Sequence, residues 1–191
     1  MPVFFAFIFF VIIQRIIELI MAKRNEKWMK AEGAKEFGQN HYYWMVLLHT
    51  MFFLTLMGEV VFFHRSTSDF FFLWLFLFVL LQIGRIWVIQ SLGRYWNTKI
   101  IVLKDADTVR TGPYKWFRHP NYMIVTLELA VIPLMFQAYF TLFLFAILNQ
   151  WILLNRISIE EKALTMHTKY QEVLDGRRNL LFLRKKHEEN S

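Results

Sequence analysis

The chain of 191 residues contains no cysteine. Disulfides, thiolate metal sites and a cysteine nucleophile are therefore excluded, and the sequence carries no sign of a redox compartment. Glycine and proline are scarce, at 7 and 4 residues, and they form no linker or low-complexity segment. No G-x-G loop follows a candidate strand, which excludes the ordinary soluble dinucleotide-binding fold. Any chemistry must use oxygen and nitrogen side chains.

Apolar residues are abundant instead, at 56% of the chain, with 21 Phe. They fall in blocks of about 20 residues, the length that crosses roughly 30 Å of hydrocarbon. The sequence therefore predicts an all-α polytopic membrane protein with about five transmembrane helices and a cytosolic C-terminal cap. The predicted spans are Val3 to about Ala22, Tyr42 to Phe63, Phe70 to about Gln90, and a two-helix hairpin over Tyr122 to Leu154 that breaks near Pro133 to Tyr139.

Basic residues are sorted by loop. Segments 23–41, 91–120 and 155–191 hold five, six and eight Lys and Arg, whereas 64–69 holds one and 136–140 none. By the positive-inside rule, this alternation predicts an external N-terminus, a cytosolic C-terminus and an odd number of spans. Since the basic residues do not gather on one face or tail, the protein is not expected to bind nucleic acid despite its net charge of +7.

The chain divides at about residue 90. We interpret 1–90 as a transmembrane scaffold of three spans, and 91–191 as a catalytic region made of a cytosolic loop, the hairpin and the cap. Trp96 and the apolar run 100–103 are expected to lay the loop on the membrane surface as a lid. Helical spacing from about Ile159 to Leu174 predicts that the last span continues as a helix beyond the membrane.

Several ionisable residues fall at membrane depth, where an unpaired charge is costly. Gln14 and Glu18 share a helical face, and Arg15 can pair with Glu18, so a structural pair is expected there. Glu59 and Arg85 lie near the ends of their spans, and we expect their side chains to reach the interface.

Polar residues become concentrated in the C-terminal half. Glu128 lies between two leucines without a local basic partner, and both a site role and helix packing stay open for it. Arg156 and Glu160 are i, i+4 neighbours, which an ordinary helix salt bridge also explains. The polar residues at the end of the last span are Asn149, Gln150, Asn155, Arg156, Glu160 and Glu161.

A turn at Gly112-Pro113-Tyr114 precedes Arg118-His119-Pro120-Asn121-Tyr122 at the mouth of the fourth span. Pro120 suits a first helical turn, whose free N–H groups can meet an anion or carboxylate. A lone His119 is more often an interfacial histidine than a ligand, and no metal is expected.

The string from Gly112 to Tyr122, followed by the hairpin and by Arg156-Ile157-Ser158-Ile159-Glu160-Glu161, resembles the isoprenylcysteine carboxyl methyltransferase (ICMT) family over roughly residues 92–182. The resemblance implies a membrane-embedded site for S-adenosylmethionine, open to the cytosol, with a sideways opening for a lipid substrate. It implies cofactor-binding roles for Val109, Tyr114, His119, Pro120, Asn121, Tyr122 and Glu160. It also implies that Arg156 orients the substrate and that the residues from Tyr170 to Phe182 form the cap.

The residue types suit that cofactor. A sulfonium, an amino group and a carboxylate require aromatic faces, an acid and basic or N–H donors. Arg156 could orient an acceptor that is already ionised, so no general base is assigned. Glu128, Gln150 and Glu161 are candidate supporting residues around this site.

The acceptor is a separate question. Met123-Ile124 follows Tyr122 where the prenylcysteine enzymes usually carry a glycine at the second position, so the acceptor pocket is expected to differ. The G-P-Y-x-x-x-R-H-P-N-Y version with Leu127-Glu128 resembles the bacterial branch, some members of which methylate hydroxyl groups of long-chain alkylpyrones. That resemblance implies a bacterial cell membrane and a type III polyketide synthase as functional partner.

Three alternatives stay open. One is a prenylcysteine-type carboxyl methyltransferase. Another is an NADPH-dependent reductase of the sterol-reductase type, which would require more basic phosphate contacts than the sequence offers. The third is a non-catalytic membrane protein or small transporter, in which intramembrane charges should be distributed over paired halves.

Overall fold

The computed structural model describes residues 1–168 and Tyr170, and within them five long helices dominate. The expected all-α polytopic membrane protein is confirmed. The helices are α1 (Pro2–Ala31), α2 (Gln39–Phe62), α3 (Phe71–Leu92), α4 (Pro120–Met135) and α5 (Tyr139–His167). The short elements are the strands β1 (Lys35–Phe37) and β2 (Ile100–Val102) and the 3₁₀ turns Gly93–Tyr95 and Gly112–Lys115.

Four of the five helices, α1, α2, α3 and α5, are long and apolar enough to cross a membrane. The fourth, α4, has 16 residues, about 24 Å at 1.5 Å per residue against roughly 30 Å of hydrocarbon. The expected break between α4 and α5 lies at residues 136–138. Pro133 stands inside the last turn of α4, and Gln137 has a left-handed φ of 54° that ends it.

The helices form one bundle in which α3 packs on α4, α4 on α5 and α5 on α2. The aromatic ring of Phe4 in α1 meets Phe136 edge-on, and that of Phe7 meets Phe78 in α3. Large apolar side chains such as Phe9 cover the outer faces of the bundle. This arrangement suits a hydrocarbon solvent, since those side chains would otherwise face water.

Glu59 lies in the last turn of α2, at the bundle end opposite the loop 93–119, and its side chain is buried instead of extending to the surface. The residue is 4% exposed. Its carboxylate accepts hydrogen bonds from the backbone N–H groups of Phe140 and Thr141, at 3.1 and 2.7 Å, and from the Thr141 hydroxyl at 2.8 Å. Glu59 therefore caps the first turn of α5, where N–H groups lack partners within the helix.

Arg85 is likewise buried instead of extending to the surface, since it is 3% exposed inside the bundle. Its guanidinium group contacts Glu18 and Glu128. The expected pair of Arg15 with Glu18 is confirmed, at 2.7 Å, and Gln14 on the same helical face donates to Glu18 at 3.1 Å. Glu128 thus has basic partners after all, but they come from α1 and α3 rather than from its own helix.

The segments before α2 and after α3 pair as a small antiparallel ribbon, which was not predicted from the sequence. Lys35 of β1 faces Val102 of β2, and Phe37 faces Ile100. Ile100 and Val102 are buried against Ala163 of α5. The apolar run expected to form a lid is therefore one strand of a ribbon packed on the last helix.

The last helix, α5, runs without a break to His167, so the predicted extension of the final span is confirmed up to that residue. The remainder of that prediction, to Leu174, and the cap residues 171–182 lie outside the described residues.

Candidate functional site

A cleft opens at the end of the bundle that carries the loop 93–119, between the starts of α4 and β2 and the last third of α5. Of the predicted site residues, seven line it: Val109, Tyr114, His119, Asn121, Tyr122, Arg156 and Glu160. These residues come from four separate segments of the chain. The fold therefore brings the string 112–122, in the loop and the start of α4, next to the string 156–161 in α5.

The turn at Gly112 places Tyr114 in the cleft. Gly112 has φ +56°, and a Cβ there would stand 2.1 Å from the Ser91 hydroxyl and 3.0 Å from Nε1 of Trp87. Only glycine combines that conformation with such a close approach to α3. Burial raises the pKa of the Tyr114 phenol well above its usual value, and the charge of nearby Glu160 raises it further. Tyr114 is therefore a neutral phenol at physiological pH.

The start of α4 supplies the next group of site residues. His119 occupies the N-cap position and Pro120 the first turn, where a missing N–H costs nothing. Pro120 is buried and does not line the cleft, so its part is to start the helix. Asn121 follows with its Oδ1 buried and without a partner among the described residues.

A hydrogen-bonded chain joins α4 to α5 across the cleft. The Tyr122 hydroxyl accepts from Nε of Arg156 at 2.8 Å and donates to the Glu160 carboxylate. Arg156 also donates from Nη2 to the Thr98 carbonyl at 2.6 Å. Tyr122 is packed on Leu153, which has no exposed surface. The arginine is consequently held by two fixed acceptors and is 5% exposed.

His119 is oriented by Glu161, one of the predicted supporting residues. The imidazole lies 3.1 Å from a Glu161 oxygen through Nε2 and 4.0 Å from Glu160 through Nδ1, and its ring stacks on Tyr122. The guanidinium of Arg118 lies 3.8 Å from Glu161. Glu161 does not line the cleft, so it acts on the site through His119.

Two other predicted supporting residues lie away from the cleft. Glu128 is 2% exposed among the charged groups of α1 and α3. Gln150 is half-buried on α5, six residues before Arg156, and is not among the described residues that line the cleft.

Three cleft residues were missed as ligand-binding candidates. Nε1 of Trp96, Oγ1 of Thr108 and Nε of Arg118 are buried and have no hydrogen-bond partner among the described residues. The positions of Trp96 and Thr108 depend on how the loop 93–111 folds back over the cleft, whereas Arg118 directly precedes α4. The one available signal for the first two was a tryptophan and a threonine in a loop too long for a simple connector.

Comparisons with known proteins agree with this arrangement. The model of the isoprenylcysteine carboxyl methyltransferase (ICMT) family matches residues 74–166. The uncharacterized protein YpbQ of Bacillus subtilis is 44% identical over 164 residues, which cover 84% of this chain and 96% of that protein. An uncharacterized protein of Haemophilus influenzae is 27% identical over 152 residues, 79% of this chain and 88% of its own.

No solved structure matches the chain. The match over residues 74–166 takes in most of α3, the loop with its Gly112 turn, α4 and nearly all of α5. It includes the described residues that line the cleft except Met29, Thr168 and Tyr170. Methyltransferases of this family use S-adenosylmethionine in general. The chain belongs to the isoprenylcysteine carboxyl methyltransferase family and is an integral membrane protein.

Proposed function

We propose that this protein transfers a methyl group from S-adenosylmethionine to an acidic oxygen of a lipophilic acceptor. The observation that supports this most directly is the chain Arg156–Tyr122–Glu160, which closes one wall of a cleft rich in unpartnered polar atoms. Buried polar groups without partners are costly, so they indicate where a polar ligand binds.

The residues present fit the cofactor group by group. Glu160, with a side chain 27% exposed, is the carboxylate suited to an amino group. The unpartnered Nε of Arg118 is a donor suited to a carboxylate. The face of Tyr114 suits a cationic sulfonium, whereas the ring of Tyr122 already stacks on His119. Trp96 and Asn121 add one donor and one acceptor in the same cleft.

S-Adenosylmethionine supplies a methyl carbon that an oxygen nucleophile can attack in line with the departing sulfur. The protein's own part is to align the acceptor and exclude water. Arg156 is already held by Tyr122 and Thr98, so it can orient an acceptor anion without neutralising it through a tight bidentate pair. An acceptor that ionises near neutral pH needs no general base.

For the acceptor we favour an alkylpyrone or related polyketide-type hydroxyl, made by a type III polyketide synthase as functional partner. The support is the sequence resemblance to the bacterial branch and a bundle surface suited to lipid. A prenylcysteine-type carboxylate is the second candidate, because it fits the family and presents the same kind of anion to Arg156.

Calorimetry on detergent-purified protein tests the cofactor. We expect micromolar binding of S-adenosylmethionine and S-adenosylhomocysteine, and no binding of NADPH. Binding of NADPH alone would replace the methyltransferase by a membrane reductase, and binding of neither would favour a non-catalytic protein.

Paired variants test the roles of the residues. Glu160→Ala and His119→Ala should abolish cofactor binding, whereas Arg156→Ala should chiefly reduce acceptor turnover. Glu36→Gln is the matched control, because Glu36 is a carboxylate of the ribbon that pairs with Lys30 and Lys99. Wild-type cofactor affinity in Glu160→Ala would contradict the assignment.

The acceptor itself is tested by methyl transfer from labelled S-adenosylmethionine to an alkylpyrone and, separately, to a prenylcysteine. Label in the alkylpyrone alone is the expected result. Label in the prenylcysteine alone would leave the methyltransferase assignment intact and overturn the favoured substrate.

A further inference from the structure

The most densely charged part of the bundle interior lies outside the cleft. We call Arg15, Glu18, Arg85 and Glu128 the charge cluster; they come from α1, α1, α3 and α4 respectively. Arg15 donates to Glu18 at 2.7 Å and to Glu128 at 2.6 Å. Arg85 donates to Glu18 from Nη1 at 3.0 Å and to Glu128 from Nε at 3.1 Å and also from Nη2.

Two amides complete the hydrogen bonding of these charges. Gln82 of α3 donates to Glu128 at 2.7 Å, and Gln14 of α1 donates to Glu18 at 3.1 Å and to Gln82. Two cations and two anions leave the charge cluster neutral. Arg85 and Glu128 are 3% and 2% exposed, so the pairing occurs where an unmatched charge would be most costly.

The charge cluster holds α4 by a single residue. Within the described part of α4, Glu128 is the one ionisable side chain besides Tyr122, and it meets both arginines. Tyr122 stands six residues earlier on the same helix, about 9 Å away along the axis. Because α4 is short and rigid, any shift or rotation of Glu128 is passed to Tyr122, and from there to Arg156 and Glu160.

A role in stability alone does not explain why the charge cluster is buried. Replacing buried ion pairs by apolar residues is often neutral or stabilising, so stability alone gives no reason for four charges at this depth. Directional pairing does explain them, because a carboxylate held by three donors on two other helices fixes both the height and the rotation of its own helix.

We propose that the charge cluster positions α4, so that Arg15, Glu18, Arg85 and Glu128 are positioning residues for the cofactor cleft and α1 is a working part of the methyltransferase. This inference rests on the proposed function for its binding readout. It goes beyond that function in assigning a role to α1 and α3, which lie largely outside the cleft.

The test compares Glu128→Gln with Glu59→Gln. Both changes remove one buried carboxylate that accepts several hydrogen bonds, but Glu59 holds α5 at the opposite end of the bundle. Both variants should unfold at a lower temperature. Only Glu128→Gln should raise the Kd of S-adenosylhomocysteine, by about 10-fold within the roughly 2- to 30-fold that packed side chains transmit.

Restoring the charge balance provides the second arm. Glu128→Gln leaves an unmatched cation, and adding Arg15→Gln returns the charge cluster to neutrality. The increase in the Kd of S-adenosylhomocysteine in the double variant should therefore be smaller than the product of the increases in the two single variants. Arg15→Gln alone remains usable if Glu128→Gln does not fold, because the Arg15 side chain is 24% exposed.

A third measurement is independent of the cofactor. Spin labels at Leu127→Cys on α4 and Leu154→Cys on α5, both exposed positions, report the distance between the two helices. Glu128→Gln should shift or broaden the distance between the labels, and Glu59→Gln should not. A cofactor affinity within twofold of wild type together with an unchanged distance would overturn the inference. If the wild type bound no S-adenosylhomocysteine, the proposed function would fail, and the label distance alone would decide the role of the charge cluster.

Discussion

Tyr122 is the residue on which the cleft depends most. Its hydroxyl accepts from Arg156 and donates to Glu160, and its ring stacks on His119. Each of these partners is a candidate for touching cofactor or acceptor, so one phenol sets the positions of three others. The stack alone would survive the loss of the hydroxyl, whereas the Arg156–Glu160 link would not.

We therefore expect Tyr122→Phe to reduce acceptor turnover by about 10-fold or more, since a hydrogen bond to a charged group contributes about 1.5–3 kcal/mol. Tyr114→Phe is the control, because Tyr114 is a buried phenol of the same cleft. Steady-state kinetics of both variants make the comparison. Equal losses would show that the hydroxyl bridge has no special role.

The protonation state of Tyr114 can be tested by pH. Burial and the Glu160 charge raise its pKa, so the phenol keeps its proton to higher pH than the usual value of about 10. Wild type and Tyr114→Phe should consequently give pH–activity curves of the same shape from about pH 6 to pH 10. An alkaline limb present only in the wild type would show that the phenol titrates in this range.

At the scale of elements, the Gly112 turn is the most constrained connection at the site. Gly93 and Gly112 share a left-handed φ, +54° and +56°, but a Cβ meets nothing within 4 Å at Gly93 and overlaps Ser91 at Gly112. The two glycines therefore separate backbone strain from crowding.

We expect Gly93→Ala to cost about 1–3 kcal/mol from the backbone conformation alone, since φ 54° with ψ −123° is rarely adopted by residues with a Cβ. Gly112→Ala should cost more and should also weaken cofactor binding, because the turn that carries Tyr114 must move away from α3. Thermal unfolding and calorimetry on the two variants test this. Equal stabilities and affinities would contradict the crowding argument.

The helices could be predicted from the sequence, but their mutual contacts could not. Blocks of apolar residues located all five helices, and Glu128 was recognised as a buried acid. Its partners Arg15 and Arg85 lie 113 and 43 positions away in the chain, and no local pattern links residues at that distance. Arg85 was expected to reach the interface, because a position near the end of a span does not reveal how far neighbouring helices cover it.

The candidate site could be predicted only in part, again because the sequence shows local patterns and not long-range contacts. The strings around His119 and Glu160 were visible as local patterns, and the fold brings both to the cleft. The β1–β2 ribbon could not be predicted, because two strands of three residues from different loops show no alternation long enough to detect. The loop that brings Trp96 and Thr108 over the cleft was equally hidden.

At the scale of the whole molecule, the orientation in the membrane is open to a simple test. The absence of cysteine means that any introduced thiol is unique. Ser66 and Lys104 are both exposed, one in the loop between α2 and α3 and the other in the loop after β2. The charge sorting predicts that these two positions lie on opposite sides of the membrane.

A membrane-impermeant maleimide applied to intact cells should accordingly label Ser66→Cys, and should label Lys104→Cys only after lysis. The reverse pattern would place the cleft outside the cell and contradict the predicted orientation.

The short α4 has a consequence for how the proposed lipophilic acceptor would reach the cleft. A Cβ at Gly84 of α3 would lie 3.5 Å from Ile124 of α4, so these residues stand at one level. Beyond that level α3 continues for eight residues and α4 for four, a difference of about 6 Å. The extra length of α3 includes Trp87 and Ser91, which pack against the Gly112 turn at the cleft. A lipophilic acceptor of the kind that we propose would keep its tail in the leaflet beside the short α4, and each methylene that stays in hydrocarbon avoids an extraction cost of about 0.8 kcal/mol.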